Sequence, residues 1–90
     1  MRFLFLLLTV LISTVNSGVF MCGVCQAYVR QCSSLPRTSW IDEITNVCQH
    51  SEEHWTECKR TLTRKFAELR PLMEQGWPAE QACDRVHLCP

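Results

Sequence analysis

Seven cysteines constrain this 90-residue chain more than any other feature, because all of them lie beyond residue 21. Cys22, Cys25, Cys32, Cys48, Cys58, Cys83 and Cys89 make up almost one residue in ten of the stretch from Gly18 to Pro90. A domain of that size buries too little apolar surface to be comfortably stable on its core alone, and disulfides formed in an oxidising compartment make up the deficit. The same size excludes a Rossmann domain, a barrel or a two-domain enzyme.

The residues before this stretch read differently. Arg2 precedes an uninterrupted apolar run, Phe3 to Leu8, extended by Val10, Leu11 and Ile12, and small and polar residues follow up to Val15-Asn16-Ser17. This is the pattern of a cleavable secretory signal over residues 1–17, with one domain over 18–90. The run is too short to span a bilayer, which takes roughly 20 apolar residues, and no later segment approaches that length. The expected destination is outside the cell or the lumen of an acidic digestive or lysosome-like compartment. From Gly18 onward eight Lys and Arg face nine Asp and Glu, a net charge near −1 with neutral histidines. So balanced a chain is not expected to bind nucleic acid.

The apolar periodicity is helical throughout, and the expected fold class is all-α. Phe20, Val24, Cys25, Tyr28, Val29 and Cys32 recur at three and four residues and predict a first helix of about three turns, ended by Ser33-Ser34-Leu35-Pro36. Thr38 or Ser39 is placed to cap a second helix, with Trp40 or Ile41, Ile44, Val47 and Cys48 inward and Asp42 and Glu43 in its positive first turn. Ser51 is expected to cap a third, with Glu52, Glu53 and Glu57 early and Trp55, Cys58, Leu62, Phe66 and Leu69 on its apolar face. Pro71 should bend or stop it. Leu72 and Met73 extend to a stop at Gly76, and Pro78 suits the first position of a last helix that buries Ala82, Cys83 and Val86. No stretch alternates strictly enough to predict a strand.

Cysteines three apart on a helix face the same way, so Cys22 and Cys25 are poorly placed to bond each other but well placed to reach one element alongside. Cys83 and Cys89 offer that element. Cys48 and Cys58 flank an expected turn at Gln49 to Ser51 and fall on facing helices. With Cys32 set aside, 15 pairings exist, and these demands favour Cys22 with Cys89, Cys25 with Cys83 and Cys48 with Cys58.

On Cys22-Gly-Val-Cys25, the Cys48 and Cys58 hairpin and the closing segment from Gly76-Trp77-Pro78 to Cys89, the chain resembles the saposin-like family, saposin B-type domain. The resemblance spans Cys22 to Cys89. It implies four or five short amphipathic helices in two leaves held by three disulfides, and a role with lipids: binding, extraction or, in secreted single-domain members such as the amoebapores and their nematode relatives, permeabilisation. Expected partners are lipids or membranes, anionic ones by preference, with a homodimer or higher oligomer on the membrane.

Two leaves joined at a hinge can bury their apolar faces on each other in water or on acyl chains in a membrane. The residues for such a face are Val24, Tyr28, Ile41, Ile44, Leu62, Phe66 and Leu69, all equally suited to an ordinary core. Lys59, Arg60, Arg64 and Lys65 are candidates for a patch on anionic membranes, or else a solvated helix face. His50, His54 and His87 would together carry the charge from about −1 toward +2 near pH 5, a candidate acid switch. Trp40, Trp55 and Trp77 suit either a bilayer interface or a core. Cys32, seven residues after Cys25, is expected as a buried free thiol; a covalent dimer or a shuffled pairing is the alternative.

Competing chemistry fares worse. Cys22 and Cys25 as a redox pair would need a βαβ context, and Cys22, Cys25, His50 and His54 are too widely separated for the usual zinc finger. No nucleophile with a local histidine and acid signature is present, so no enzyme, metal or cofactor is expected. The charge near zero favours lipid carriage over direct killing, and the absence of an Asn-x-Ser/Thr sequon removes the glycan of the lysosomal saposins. The expected function is a secreted membrane-perturbing protein, antimicrobial-like and favoured by acid. A lipid-transfer protein or a secreted protein-interaction module is the alternative.

Overall fold

The computed structural model describes residues 18–90, and the signal expected over residues 1–17 lies outside that range. Within it, helix α1 covers residues 18–32. A 3-10 turn at Arg37–Ser39 leads into α2 (Trp40–Cys48), a 3-10 segment Gln49–His54 leads into α3 (Trp55–Glu74), and α4 is Ala79–Arg85. No strand occurs among the described residues.

The crosslinks give the topology. Cys22 bonds Cys89 and Cys25 bonds Cys83, so moving forward along α1 means moving back along the α4 segment: the two run antiparallel. Cys48 bonds Cys58 with their Cα atoms 5.6 Å apart. An unbroken helix would separate residues ten apart by about 15 Å, so the chain has to break between them. The break falls at Glu52, whose backbone (φ 43°, ψ −94°) interrupts the 3-10 segment. The cysteines thus join α1 to α4 and α2 to α3, and no disulfide ties one pair of helices to the other. Cys32 is the free thiol, and it is buried.

Both pairs share one core, in which Cys25, Tyr28, Val29 and Cys32 of α1 meet Trp40 and Ile44 of α2, Leu62 and Leu69 of α3 and Ala82, Cys83 and Val86 of α4. Its polar atoms are matched. The Tyr28 hydroxyl donates to the Trp40 carbonyl (2.6 Å), and the Trp40 indole donates back to the carbonyls of Cys32 (3.0 Å) and Leu35 (3.2 Å). Cys32 is the last residue of α1, where helix acceptors need partners from outside the helix, and its carbonyl also accepts from the Leu35 N–H (3.0 Å) in the turn that follows. At the surface Arg30 of α1 pairs with Glu80 of α4; the Glu80 backbone N–H and the Arg30 guanidinium hold that carboxyl below its ordinary value.

Several helix ends depart from the expectations. Ser39 does precede α2, but its backbone is already helical (φ −95°, ψ −7°) because the 3-10 turn runs straight into the helix, and neither it nor Thr38 caps through its side chain. Ser51 does not cap α3. Its hydroxyl donates back to the Cys48 carbonyl, Glu52 and Glu53 belong to the 3-10 segment, and only Glu57 sits in the first turn of α3. Pro71 does not stop α3, which continues to Glu74. The carbonyl that loses its donor belongs to Ala67, which like Pro71 is exposed, so its loss of an intrahelical partner is not a buried one. Gly76 (φ 77°) is the expected stop: its N–H reaches Met73 and that of Trp77 reaches Leu72. Pro78 takes the cap of α4 rather than its first position, with extended backbone and its carbonyl accepting from Ala82.

Candidate functional site

Burial divides the seven apolar residues expected to face lipid. Tyr28, Leu62 and Leu69 are wholly enclosed, Ile44 nearly so, and Val24 and Phe66 are half-buried against the core. Ile41 is 47% exposed, although its neighbour Trp40 is buried. The sequence left Trp40 and Ile41 as alternatives; the core takes Trp40 because its indole N–H finds two carbonyls there. In this conformation the seven do not form one open face.

The four basic residues expected as a patch do not share a face either, because positions 59, 60, 64 and 65 spread around most of a helix turning 100° per residue. Lys59 is half-buried over the Trp55 ring (4.8 Å to the centroid), and Lys65 pairs with Glu68 at 3.3 Å. Arg60 and Arg64 alone point outward, opposite the buried Cys58, Leu62 and Leu69. Trp77 is half-buried like Trp55, and its indole donates to Gln75.

The histidines are exposed and cluster toward one end of the molecule. His50 and His54 lie in the Gln49–His54 segment, the Phe20 ring of α1 packs on His54 at 5.0 Å, and Cys22, two residues on, bonds Cys89 beside His87. Cys22 and Cys25 spend their sulfurs on disulfides, which removes them as zinc ligands or as a redox pair with each other. Beside them, the Cys32 thiol is pushed up to about 11 by burial, and burial also holds the Tyr28 phenol well above its ordinary range.

At the other end, the start of α2 and the last turns of α3 enclose an open hollow of about 270 Å³ lined by Arg37, Thr38, Ile41, Phe66 and Arg70. Ile41 and Phe66 supply apolar walls. Arg37 and Arg70 share one carboxylate, Glu74, at 3.2 and 3.1 Å, and both guanidiniums stay about 60% exposed. No carboxylate lines the hollow itself, so its rim carries one positive charge in excess. Of this set, the sequence pointed to Ile41 and Phe66 as apolar face residues and to Thr38 only as a helix cap, and not to the two arginines. The i, i+4 spacing of Phe66 with Arg70 and of Arg70 with Glu74 was available as a signal, but Arg37 joins them only through the closed hairpin.

Comparison with protein families, with curated proteins and with solved structures finds no match to this chain. Among the described residues no helix is long and apolar enough to cross a membrane. Three disulfides fit an oxidising, extracellular-type environment.

Proposed function

We propose that this chain is a secreted, saposin-like protein that binds lipid and perturbs membranes without catalysing a reaction. One observation carries the reading: the disulfides close each helix pair on itself and leave the boundary between the pairs to non-covalent contacts, apolar packing with the Tyr28 and Trp40 hydrogen bonds beside it. Such halves can part without breaking a covalent bond. Tyr28, Ile44, Leu62 and Leu69 would then exchange contact with each other for contact with acyl chains, so the apolar area lost from the core is regained in the bilayer. The acid-favoured arm of the proposal rests on His50, His54 and His87, which are exposed in the folded chain and whose protonation makes its net charge positive.

The test is dye release from anionic and neutral vesicles at pH 7 and pH 5, with co-sedimentation of the same samples, using the oxidised protein from Gly18 to Pro90. Leakage of anionic vesicles that rises at pH 5 is the expected result. Binding without leakage makes the protein a lipid carrier, and the absence of both overturns the lipid reading in favour of a protein partner.

A further inference from the structure

We propose that the hollow between the start of α2 and the end of α3 seats the anionic headgroup of a phospholipid that remains in its bilayer. The inference rests on the membrane reading above and assigns it a place on the closed molecule, outside the shared core. Its chemistry is that of a two-part ligand. Guanidinium groups favour phosphate and carboxylate oxygens, and two of them flank an apolar floor that suits the first methylenes of a chain.

The excess charge decides the sign of the ligand. Glu74 satisfies at most one of the two arginines in charge, and ion pairs this exposed contribute little, so an arriving phosphate can replace the carboxylate at small cost. The dimensions decide its source. The hollow measures about 270 Å³ and is open to solvent, so it holds a headgroup and the top of a chain but does not enclose a whole lipid. An extracted lipid would leave most of its chain in water. One still in the membrane does not. Ile41, exposed beside the arginines, then enters the interface next to the lipid it helps to hold.

The experiment is co-sedimentation of the oxidised protein with phosphatidylcholine vesicles, with and without phosphatidylserine, at low and physiological salt. The wild type is expected to bind the anionic vesicles preferentially. Arg37→Gln with Arg70→Gln should weaken that binding about 25-fold, at roughly fivefold per basic residue. Arg60→Gln with Arg64→Gln removes the same charge from the outer side of α3, about a helix diameter away and screened, and should cost less than about threefold. Glu74→Gln should tighten binding about fivefold, whereas Glu57→Gln, an equal charge change elsewhere on α3, should leave it nearly unchanged. Ile41→Ser should weaken binding at both salt concentrations.

Equal losses from the two arginine pairs, or equal binding of neutral and anionic vesicles, would overturn the subsite and leave the membrane reading standing. So would competition by free glycerophosphoserine at concentrations comparable to the vesicle lipid, since that would make a soluble anion the ligand. A wild type that binds neither vesicle overturns both proposals.

Discussion

Two side chains on neighbouring helices satisfy each other's backbone: Tyr28 donates to residue 40, and Trp40 donates to the end of the helix that carries Tyr28. Trp40→Phe keeps most of the ring but removes the donor of the part-buried Leu35 carbonyl and one of the two donors of the Cys32 carbonyl, and a loss of about 1 kcal/mol is expected, read as a lower urea midpoint at unchanged slope. Cys32 beside them gives a second prediction. Its thiol is 1% exposed and titrates near 11 rather than at the ordinary 9.0, so the thiolate that attacks alkylating reagents is scarce. Iodoacetamide at pH 8 should leave the native protein unlabelled and modify one thiol after denaturation with disulfides intact. The pKa is higher in the folded state than in the unfolded one, so the associated stability is complete below pH 9 and is lost as pH rises toward 11. Urea melts across that window should fall for the wild type and fall less for Cys32→Ala, with Tyr28 contributing the remaining slope. The burial of Cys32 was legible from its spacing to Cys25. The reciprocal clamp was not, because no local pattern tells an indole which carbonyls it will meet.

Helix identity came through in the sequence because apolar residues at three and four leave no other way to bury Cys25, Tyr28 and Cys32, or Cys58, Leu62 and Leu69, together. Helix ends came through less well. Ser51 followed by acidic residues looks like a cap, yet the requirement to bring Cys58 back to Cys48 displaces the start of α3 to Trp55 and forces Glu52 into a backbone that side chains rarely adopt. His87 is the second non-glycine with positive φ (64°), ending α4 as glycine ends α3: its N–H meets Asp84, and the next N–H meets Cys83. Replacing it by glycine removes the left-handed penalty at the cost of some unfolded-state entropy. His87→Gly is expected to raise stability by about 1 kcal/mol, seen as a higher Tm of the oxidised protein, and a lower Tm would mean that the imidazole makes a contact worth more than the strain.

At the scale of the whole molecule, the three pairings were legible because few arrangements of helices let six cysteines reach one another. The arginine-rimmed hollow was not, since Arg37 and Arg70 are brought together only by hairpin closure. Loop lengths compare the crosslinks. Cys25–Cys83 already closes most of the chain, so Cys22–Cys89 adds only a loop of about ten residues through 22–25 and 83–89, much like the loop of about 11 closed by Cys48 and Cys58, and by chain entropy each contributes roughly 3 kcal/mol. Cys22→Ala with Cys89→Ala should therefore lower the urea midpoint about as much as Cys48→Ala with Cys58→Ala. The bond between Cys22 and Cys89 has another consequence. Cys22 and Cys89 lie near the two ends of the described chain, and the Pro90 ring comes within 3.8 Å of where a side chain on Gly18 would begin. The covalent path is in effect a circle, so a protease that hydrolyses any one peptide bond between those cysteines yields two fragments that stay bound. The nicked protein should keep its intact mass plus one water and fall apart only when a reductant is added, so a single cut is silent until the crosslink opens.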